Sequence, residues 1–265
     1  MNPTPAAASP RGSALFDLTG RLALVTGSSR GIGRALAAGL ADAGARLILH
    51  GRGGGALVEA AAELSATGAN VATVSFDVTD AAAVAEGIAA LVAEHGVPDI
   101  LVNNAGVQRR APFTEFEPAA WDEVIATNLS SAFYVSRALA PAMAERGSGK
   151  IVNIGSVQSQ LARQTIAPYS ASKGGLVMLT KGMAADLARY DIQVNALSPG
   201  YFATDMNEAL WGDPDFDAWV KGRTPAQRWG RVEELVGTLV FLASDASAFV
   251  SGQNIFVDGG MTSVV

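Results

Sequence analysis

Short apolar runs alternate with longer Ala-rich segments along the chain from Arg21 onward. Most of the runs are almost continuously apolar, which is typical of strands that are covered by helices on both faces of a parallel sheet. The predicted strands are Leu22–Thr26, Arg46–His50, Val71–Phe76, Ile100–Asn103, Lys150–Ile154, Ile192–Leu197 and Asn254–Val257. The predicted helices are Ile32–Ala43, Ala56–Thr67, Ala81–Glu94, Trp121–Arg146, Tyr169–Arg189 and Val232–Ser244. This alternation predicts an α/β fold with one doubly wound parallel sheet of about seven strands and helices on both faces.

The amino-acid composition does not change over residues 15–265, so a single domain is expected there. Residues 1–14 are rich in Pro, Ala and Ser, and a flexible tail is expected at this end. Residues 200–231 interrupt the alternation, with three of the four tryptophans and no clear strand. Long connections in compact domains are usually functional or mobile. We therefore expect a lid over the substrate at 200–231, and the alternative is a structural excursion with two short helices.

Charge and composition exclude several classes of protein. The net charge of −6 opposes binding to nucleic acid or to an anionic membrane surface. The absence of cysteine excludes disulfides, thiolate catalysis and cysteine-ligated zinc, and two histidines are too few for a metal site without help from carboxylates. No apolar stretch reaches the roughly 18–20 residues needed to cross a bilayer, and the N-terminus lacks the apolar run of a signal peptide. We expect a cytoplasmic protein without a metal.

A glycine-rich turn, TGSSRGIG, joins the first strand to the first helix. Gly27, Gly31 and Gly33 allow the backbone to turn sharply and to approach a pyrophosphate, and the helix directs its free N–H groups at the anion. Glycines also serve ordinary turns, but here strand, turn and helix follow one another in the order that a dinucleotide site requires. The sequence therefore predicts a Rossmann-type dinucleotide-binding domain.

The end of the second strand indicates which nicotinamide cofactor is preferred. An acidic residue there would bind the ribose 2′-hydroxyl of NAD, whereas a nearby arginine accommodates the 2′-phosphate of NADP. This strand ends without an acid and is followed by Arg52, while Arg30 lies in the glycine turn. Although the two arginines could be ordinary solvated side chains, the missing acid favours NADP(H), and NAD(H) stays possible.

Three residues form a candidate catalytic group. Ser156 follows the fifth predicted strand, and Tyr169 and Lys173 are spaced i and i+4, which places them on one face of a helix. A neighbouring ammonium lowers the pKa of a tyrosine and makes it a usable general acid or base. A Tyr-x-x-x-Lys pair alone is weak evidence, because it can be an ordinary amphipathic pair, but with the serine and the glycine turn it is strong.

From about Arg21 to Met261 the chain resembles the short-chain dehydrogenase/reductase family, in its glycine turn, its Asn-Asn-Ala-Gly turn at 103–106 and its catalytic residues. The resemblance implies a hydride transfer in which Tyr169 exchanges the proton and Ser156 positions the carbonyl. Lys173 would lower the pKa of the tyrosine and hold the nicotinamide ribose, and Asn128 would anchor a water-linked proton relay. The expected cofactor-binding residues are Gly27, Ser29, Arg30, Gly31, Ile32, Gly33, Arg52, Asp77, Val78, Asn104, Ala105, Gly106, Tyr169, Lys173, Pro199, Gly200 and Thr204.

The segments at 103–128, 156–174 and 198–230 are similar to the gluconate 5-dehydrogenase branch of that family, which interconverts D-gluconate and 5-keto-D-gluconate. A sugar acid needs a cation for its carboxylate, and two adjacent arginines cannot both face it. The expected substrate-binding residues are Arg109, Arg110, Ser156, Gln158, Arg163 and Tyr169.

Three alternatives stay open: a 2-dehydro-3-deoxy-D-gluconate 5-dehydrogenase, another carbonyl reductase of the family, and a non-enzymatic dinucleotide-binding redox sensor. All four catalytic positions are filled, which speaks against the sensor. The resemblance also implies a homotetramer.

Overall fold

Seven parallel strands in the order β3-β2-β1-β4-β5-β6-β7 form the central sheet of the computed structural model, which describes residues 12–204 and 208–265. The strands are β1 Leu22–Val25, β2 Arg46–Gly51, β3 Val71–Ser75, β4 Ile100–Asn103, β5 Gly149–Ile154, β6 Ile192–Pro199 and β7 Asn254–Val257. All seven predicted strands are confirmed, with ends that differ by two residues at most.

The helices of the described residues cover the sheet and follow the predicted segments closely. They are α1 Gly31–Asp42, α2 Gly55–Ala66, α3 Ala81–His95, α4 Pro118–Ile125, α5 Ser131–Arg146, α6 Ala167–Leu187, α7 Glu208–Trp211, α8 Pro214–Arg223 and α9 Val236–Ala243. The prediction of a helix over Trp121–Arg146 is confirmed, because the chain is helical from Pro118 to Arg146, but the apolar pattern did not predict the π-helical turn at Ala126–Ser130 between α4 and α5. A π turn inserts a residue into the helix and redirects the side chains on it, and such turns are frequent at functional sites.

The sheet is buried on both faces, which explains the continuous apolar runs. Successive side chains of a strand point to opposite faces, so Val25 of β1 packs in the cluster that contains α1 and α9, whereas Leu24 packs in the cluster with α3 and α5. All four residues of β1 and all four of β4 are buried.

The functional edge of the sheet follows from the strand order. β1 pairs with both β2 and β4. From β1 the sheet grows in one direction through β2 and β3, and then in the opposite direction from β4 to β7, so the strand order reverses between β1 and β4. In open α/β sheets, ligands bind outside the carboxyl ends of the strands at such a switch point. The glycine turn after β1 and the Asn-Asn-Ala-Gly turn after β4 therefore meet there.

Two regions lie outside the regular alternation of strands and helices, and the structure describes each of them in part. Residues 1–11 of the expected tail lie outside the described residues, and Gly12–Phe16 forms a short 3₁₀ helix. In the expected lid, residues 205–207 also lie outside them, while α7, α8 and a bridge between Phe202 and Gly230 are present. None of the described helices is long and apolar enough to cross a membrane.

Candidate active site

A cleft of about 650 Å³ opens at the carboxyl ends of the strands. All of the residues that the sequence predicts to bind cofactor line it, from the glycine turn after β1 to Thr204 beyond β6. Ser156, Gln158, Arg110 and Arg163 line the same cleft. Asn128 and Arg109, which were predicted to belong to the site, are not among the lining residues.

Two glycines of the glycine turn have left-handed backbone conformations, which glycine adopts without strain. Gly27 and Gly31 have φ values of +63° and +56°, a region that side chains disfavour. A Cβ on Gly33 would collide with the side-chain amide of Asn104 and the carbonyl of Gly27. Arg30 precedes α1 in an extended conformation without a side-chain cap, so the first-turn N–H groups of α1 are free for an anion. The turn thus suits a pyrophosphate.

The turn after β4 locks the glycine turn in place. The Asn104 amide donates to the carbonyl oxygens of Thr26 and Gly27, both at 3.0 Å. In return, the Thr26 hydroxyl accepts from the backbone N–H groups of Asn104 and Ala105, at 3.0 and 3.1 Å. These bonds fix both walls of the switch-point crevice relative to each other.

His50, to which the sequence analysis assigned no role, supports the glycine turn from below. Its buried ring packs against Phe76, and Nε2 lies 3.0 Å from the Phe76 carbonyl oxygen. A carbonyl can only accept, so Nε2 carries the proton and Nδ1 accepts from the Gly27 N–H at 3.4 Å. Burial lowers the pKa of His50 to about 4, so this arrangement persists at neutral pH. The sequence signal that could have indicated this role is the position of His50, one of two histidines in the chain, near the end of β2.

The end of the cleft beside β2 carries two exposed cations. Arg30 and Arg52 are exposed, line the cleft and form no ion pair with any acid in the described part of the chain. Asp77 lies beside Arg52, and hydrogen bonds from Thr79 lower the pKa of its carboxyl. The two guanidinium groups are available to a phosphate dianion.

Ser156, Tyr169 and Lys173 come together at the ends of β5 and α6. Ser156 follows β5, and its hydroxyl accepts from the Gln158 N–H at 3.1 Å and is hydrogen-bonded to Tyr169. The Lys173 ammonium donates to the Ile154 carbonyl at 2.7 Å and lies 5.7 Å from the centre of the Tyr169 ring. The predicted cluster therefore exists, with the serine and the tyrosine in direct contact.

The protonation of the cluster differs from the sequence-based expectation. Burial is the largest effect on the Tyr169 phenol and raises its pKa, whereas the hydrogen bond with Ser156 acts in the opposite direction. The expected lowering by Lys173 is not seen, because the ammonium is directed at the Ile154 carbonyl. Burial lowers the pKa of Lys173 to about 8, so it is mainly protonated at neutral pH. In this state Tyr169 is a neutral phenol that can donate a proton.

Asn128 lies in the π turn and holds the residues after β4 against α6. Its Oδ1 accepts from the Val107 N–H at 2.8 Å, and its Nδ2 donates to the Val107 carbonyl at 2.9 Å. The same amide donates to the Ser172 hydroxyl at 3.1 Å, next to Lys173. The side chain of Asn128 therefore positions the turn that follows β4, and its expected part in a proton relay stays a prediction.

The three arginines predicted to bind the substrate carboxylate have different surroundings. Arg109 does not line the cleft itself and forms an ion pair with Glu123, which does. Arg110 and Arg163 line the cleft, and burial together with the charge of Arg163 lowers the pKa of Arg110. Neither is ion-paired to an acid of the described residues. Two close, unpaired cations indicate a site for an anion.

Comparisons with known proteins agree with this geometry. Residues 27–262 match the family model described as enoyl-(acyl carrier protein) reductase. Gluconate 5-dehydrogenase of Gluconobacter oxydans (strain 621H) is 55% identical over 248 residues, which cover 94% of this chain and 97% of that protein. The 5-keto-D-gluconate 5-reductase of Escherichia coli (strain K12) is 48% identical over 93% of this chain and 97% of its own length.

The chain belongs to the short-chain dehydrogenase/reductase family. Among solved structures, this short-chain dehydrogenase/reductase is similar to a gluconate 5-dehydrogenase from Burkholderia cenocepacia J2315 in complex with NADP and tartrate. The TM-score is 0.93 at 53% identity, over 95% of this chain and 98% of that one. The protein is therefore an oxidoreductase with a Rossmann-type sheet, as the sequence predicts.

Proposed function

We propose that this short-chain dehydrogenase/reductase interconverts D-gluconate and 5-keto-D-gluconate with NADP(H) as cofactor. The observation that carries the proposal is the pair of unpaired cations, Arg110 and Arg163, in the cleft that also contains Ser156 and Tyr169. A substrate with a carbonyl at one end and a carboxylate at the other matches both features. The names of the similar proteins support the same substrate, and the tartrate of the Burkholderia structure is itself a hydroxy acid.

In the direction of reduction, the Ser156 hydroxyl donates a hydrogen bond to the C5 carbonyl oxygen of 5-ketogluconate. NADPH supplies the hydride when bound. As the carbonyl bond becomes a single bond, the oxygen takes the phenolic proton of Tyr169, which leaves gluconate and a phenolate. The Lys173 ammonium, at 5.7 Å from the ring, stabilises that negative charge.

The carboxylate is bound at the opposite end of the substrate by Arg110 and Arg163. The planar guanidinium group can donate to both carboxylate oxygens at once. Arg163 is held in place by a hydrogen bond with the Tyr201 hydroxyl and by the Phe216 ring, 5.0 Å below its guanidinium carbon. A held cation has less freedom to lose on binding.

The preference for NADP(H) rests on Arg30 and Arg52, with NAD(H) accepted less well. Both guanidinium groups are unpaired beside the end of β2, where the chain has no acidic residue. A 2′-phosphate would therefore meet two cations, whereas the 2′-hydroxyl of NAD would lack the acidic residue at the end of the second strand that usually binds it.

Steady-state assays with purified protein test the function. We expect reduction of 5-ketogluconate with NADPH and oxidation of gluconate with NADP, both with a higher kcat/KM than simple ketones and alcohols. Faster turnover of 2-dehydro-3-deoxy-D-gluconate would assign the protein to that reaction instead. Binding of NADPH without turnover of any polyol or sugar acid would indicate a redox sensor.

The described residues of the segment 200–231 cover the substrate half of the cleft in this proposal. Tyr201 and Leu210 line the cleft, and the ring of Tyr201 packs edge-on against Phe216, Trp219 and Trp229. The region thereby contributes an apolar wall behind the polar groups that face the substrate, in keeping with the expected lid.

We also infer a homotetramer in the cytoplasm, where NADP(H) is available. Exposed apolar side chains occur on α5, on α6 and near the C-terminus, and large exposed apolar patches often mark interfaces. They include Phe133, Met178, Phe249 and Val265. Light scattering should give about four times the chain mass of 27.1 kDa, and a mass of one chain would refute the assembly.

A further inference from the structure

A buried amide oxygen without a partner lies in the substrate half of the cleft. Gln158 is 8% exposed and lines the cleft together with Tyr169. Its Nε2 donates to the Tyr201 hydroxyl at 3.5 Å, whereas its Oε1 is buried and accepts no hydrogen bond from the described residues. Buried polar atoms are nearly always paired in folded proteins. The unpaired oxygen therefore indicates a ligand group that completes it.

The backbone places Gln158 between the reacting group and the cations. Its N–H donates to the Ser156 hydroxyl, which contacts Tyr169, and its side chain reaches the Tyr201 hydroxyl, which Arg163 also contacts. Gln158 thus lies between the position of the reacting carbonyl and the position of the carboxylate. A group that meets its Oε1 belongs to the substrate carbons that join those two ends.

A second buried atom in the cleft that lacks a hydrogen-bond partner is a donor, in contrast to the acceptor oxygen of Gln158. The Nε of Arg163 is buried and donates no hydrogen bond within the described part of the chain. Donor and acceptor both lack partners within the described part of one cleft, so a ligand that pairs with both supplies an acceptor for Arg163 and a donor for Gln158. A hydroxylated carboxylate has both groups, whereas a keto acid without hydroxyls has only the acceptor.

We propose that Gln158 is a specificity-determining residue whose Oε1 accepts a hydrogen bond from the substrate hydroxyl next to the reacting carbonyl. The inference rests on the proposed function and specifies what the enzyme requires beyond a carbonyl and a carboxylate: an α-hydroxy ketone. A ketone that lacks this hydroxyl leaves the Oε1 of Gln158 buried without a hydrogen-bond partner. Sites that are built to bind a hydroxyl discriminate strongly against analogues that lack it.

Two ketones with the same carbon chain test the proposal. 5-Ketogluconate and 5-oxohexanoate share the positions of the carbonyl and the carboxylate, but only the first has hydroxyls. Replacement Gln158→Met removes the acceptor and keeps most of the volume. We expect the wild-type preference for 5-ketogluconate, measured as the ratio of the two kcat/KM values, to fall by about 5- to 150-fold in the variant. The matched control is Gln160→Met, because Gln160 is exposed and does not line the cleft; it should keep the wild-type ratio.

A second pair separates this proposal from the gluconate assignment. Acetoin and 2-butanone differ in the α-hydroxyl and carry no carboxylate. A carbonyl reductase that does not act on gluconate, yet selects hydroxy ketones through Gln158, would lose its preference within this pair on Gln158→Met. The proposal is overturned if the variant affects both members of each pair equally or not at all. It is also overturned if the wild type shows no preference for the hydroxylated member of either pair.

Discussion

The guanidinium of Arg109 binds both carboxylate oxygens of Glu123, at 2.8 Å from Nε to Oε2 and 2.7 Å from Nη2 to Oε1. The next residue, Arg110, lies in the cleft instead. Two adjacent and chemically identical side chains therefore have different tasks. One makes an ion pair with Glu123, and the other lines the cleft without an ion-pair partner among the described residues.

This difference gives a matched set of variants for the carboxylate site. Replacement of Arg110 or Arg163 by Met should raise the KM for 5-ketogluconate about 10- to 100-fold, since a charge-assisted hydrogen bond contributes roughly 1.5–3 kcal/mol. The KM for uncharged acetoin should change little. Arg109→Met is the comparison and should raise the KM for 5-ketogluconate less than either of them, because Arg109 itself does not line the cleft. If neither Arg110→Met nor Arg163→Met shows the selective loss, these arginines do not bind the carboxylate.

The role of Tyr169 as proton donor is tested by Tyr169→Phe. The variant keeps the ring and removes the only transferable proton, so kcat should fall at least about 100-fold. NADPH binding, followed by nucleotide fluorescence, should remain close to that of the wild type. A variant that retains more than about a few per cent of the activity would show that another group supplies the proton.

Cofactor choice is tested by Arg52→Ala. Loss of one cation from the 2′-phosphate should weaken NADPH binding by about 1.5–3 kcal/mol, while NADH affinity changes little. Titration of both nucleotides against both proteins measures this difference. Arg34→Ala is a suitable control, because Arg34 pairs with Glu63 and does not line the cleft. An equal loss of NADPH and NADH affinity would mean that Arg52 acts through the fold or the shared ribose.

The buried ring of His50 makes stability depend on pH. Its pKa is about 4 in the folded protein against an ordinary value of 6.5, so the unfolded chain binds the proton more readily between these values. The contribution to the free energy of unfolding is full above about pH 6.5 and decreases as the pH falls toward 4, by up to about 3 kcal/mol. Urea unfolding between pH 5 and pH 8 should show a smaller slope for His50→Asn than for the wild type. An unchanged slope in His50→Asn would contradict the assignment.

Sequence patterns predicted the sheet well because its strands are buried on both faces. Strands of that kind consist almost entirely of apolar residues and can be recognised in the sequence. The glycine turn and the Ser156, Tyr169 and Lys173 cluster were also predictable, since each depends on spacing within one strand–turn–helix unit. The contact between Arg109 and Glu123 was not, because it joins side chains from two segments whose relative placement no local pattern encodes.

Two further features depend on the folded environment. The π turn that carries Asn128 needs one extra residue in a helix whose apolar pattern continues through it, so periodicity alone predicts a single helix. The raised pKa of Tyr169 reflects the loss of solvent around the phenol, which a spacing rule for tyrosine and lysine does not include.

The aromatic residues behind Tyr201 also affect how the protein can be observed. Trp219 and Trp229, two of the four tryptophans, lie with their rings 5.7 and 5.6 Å from that of Tyr201. The Tyr201 hydroxyl contacts Gln158 and Arg163, so a sugar acid that engages these two groups alters the surroundings of both indoles. With oxidised cofactor, whose nicotinamide does not absorb where tryptophan emits, intrinsic emission can therefore follow occupancy of the substrate half of the cleft, even in variants that no longer turn over.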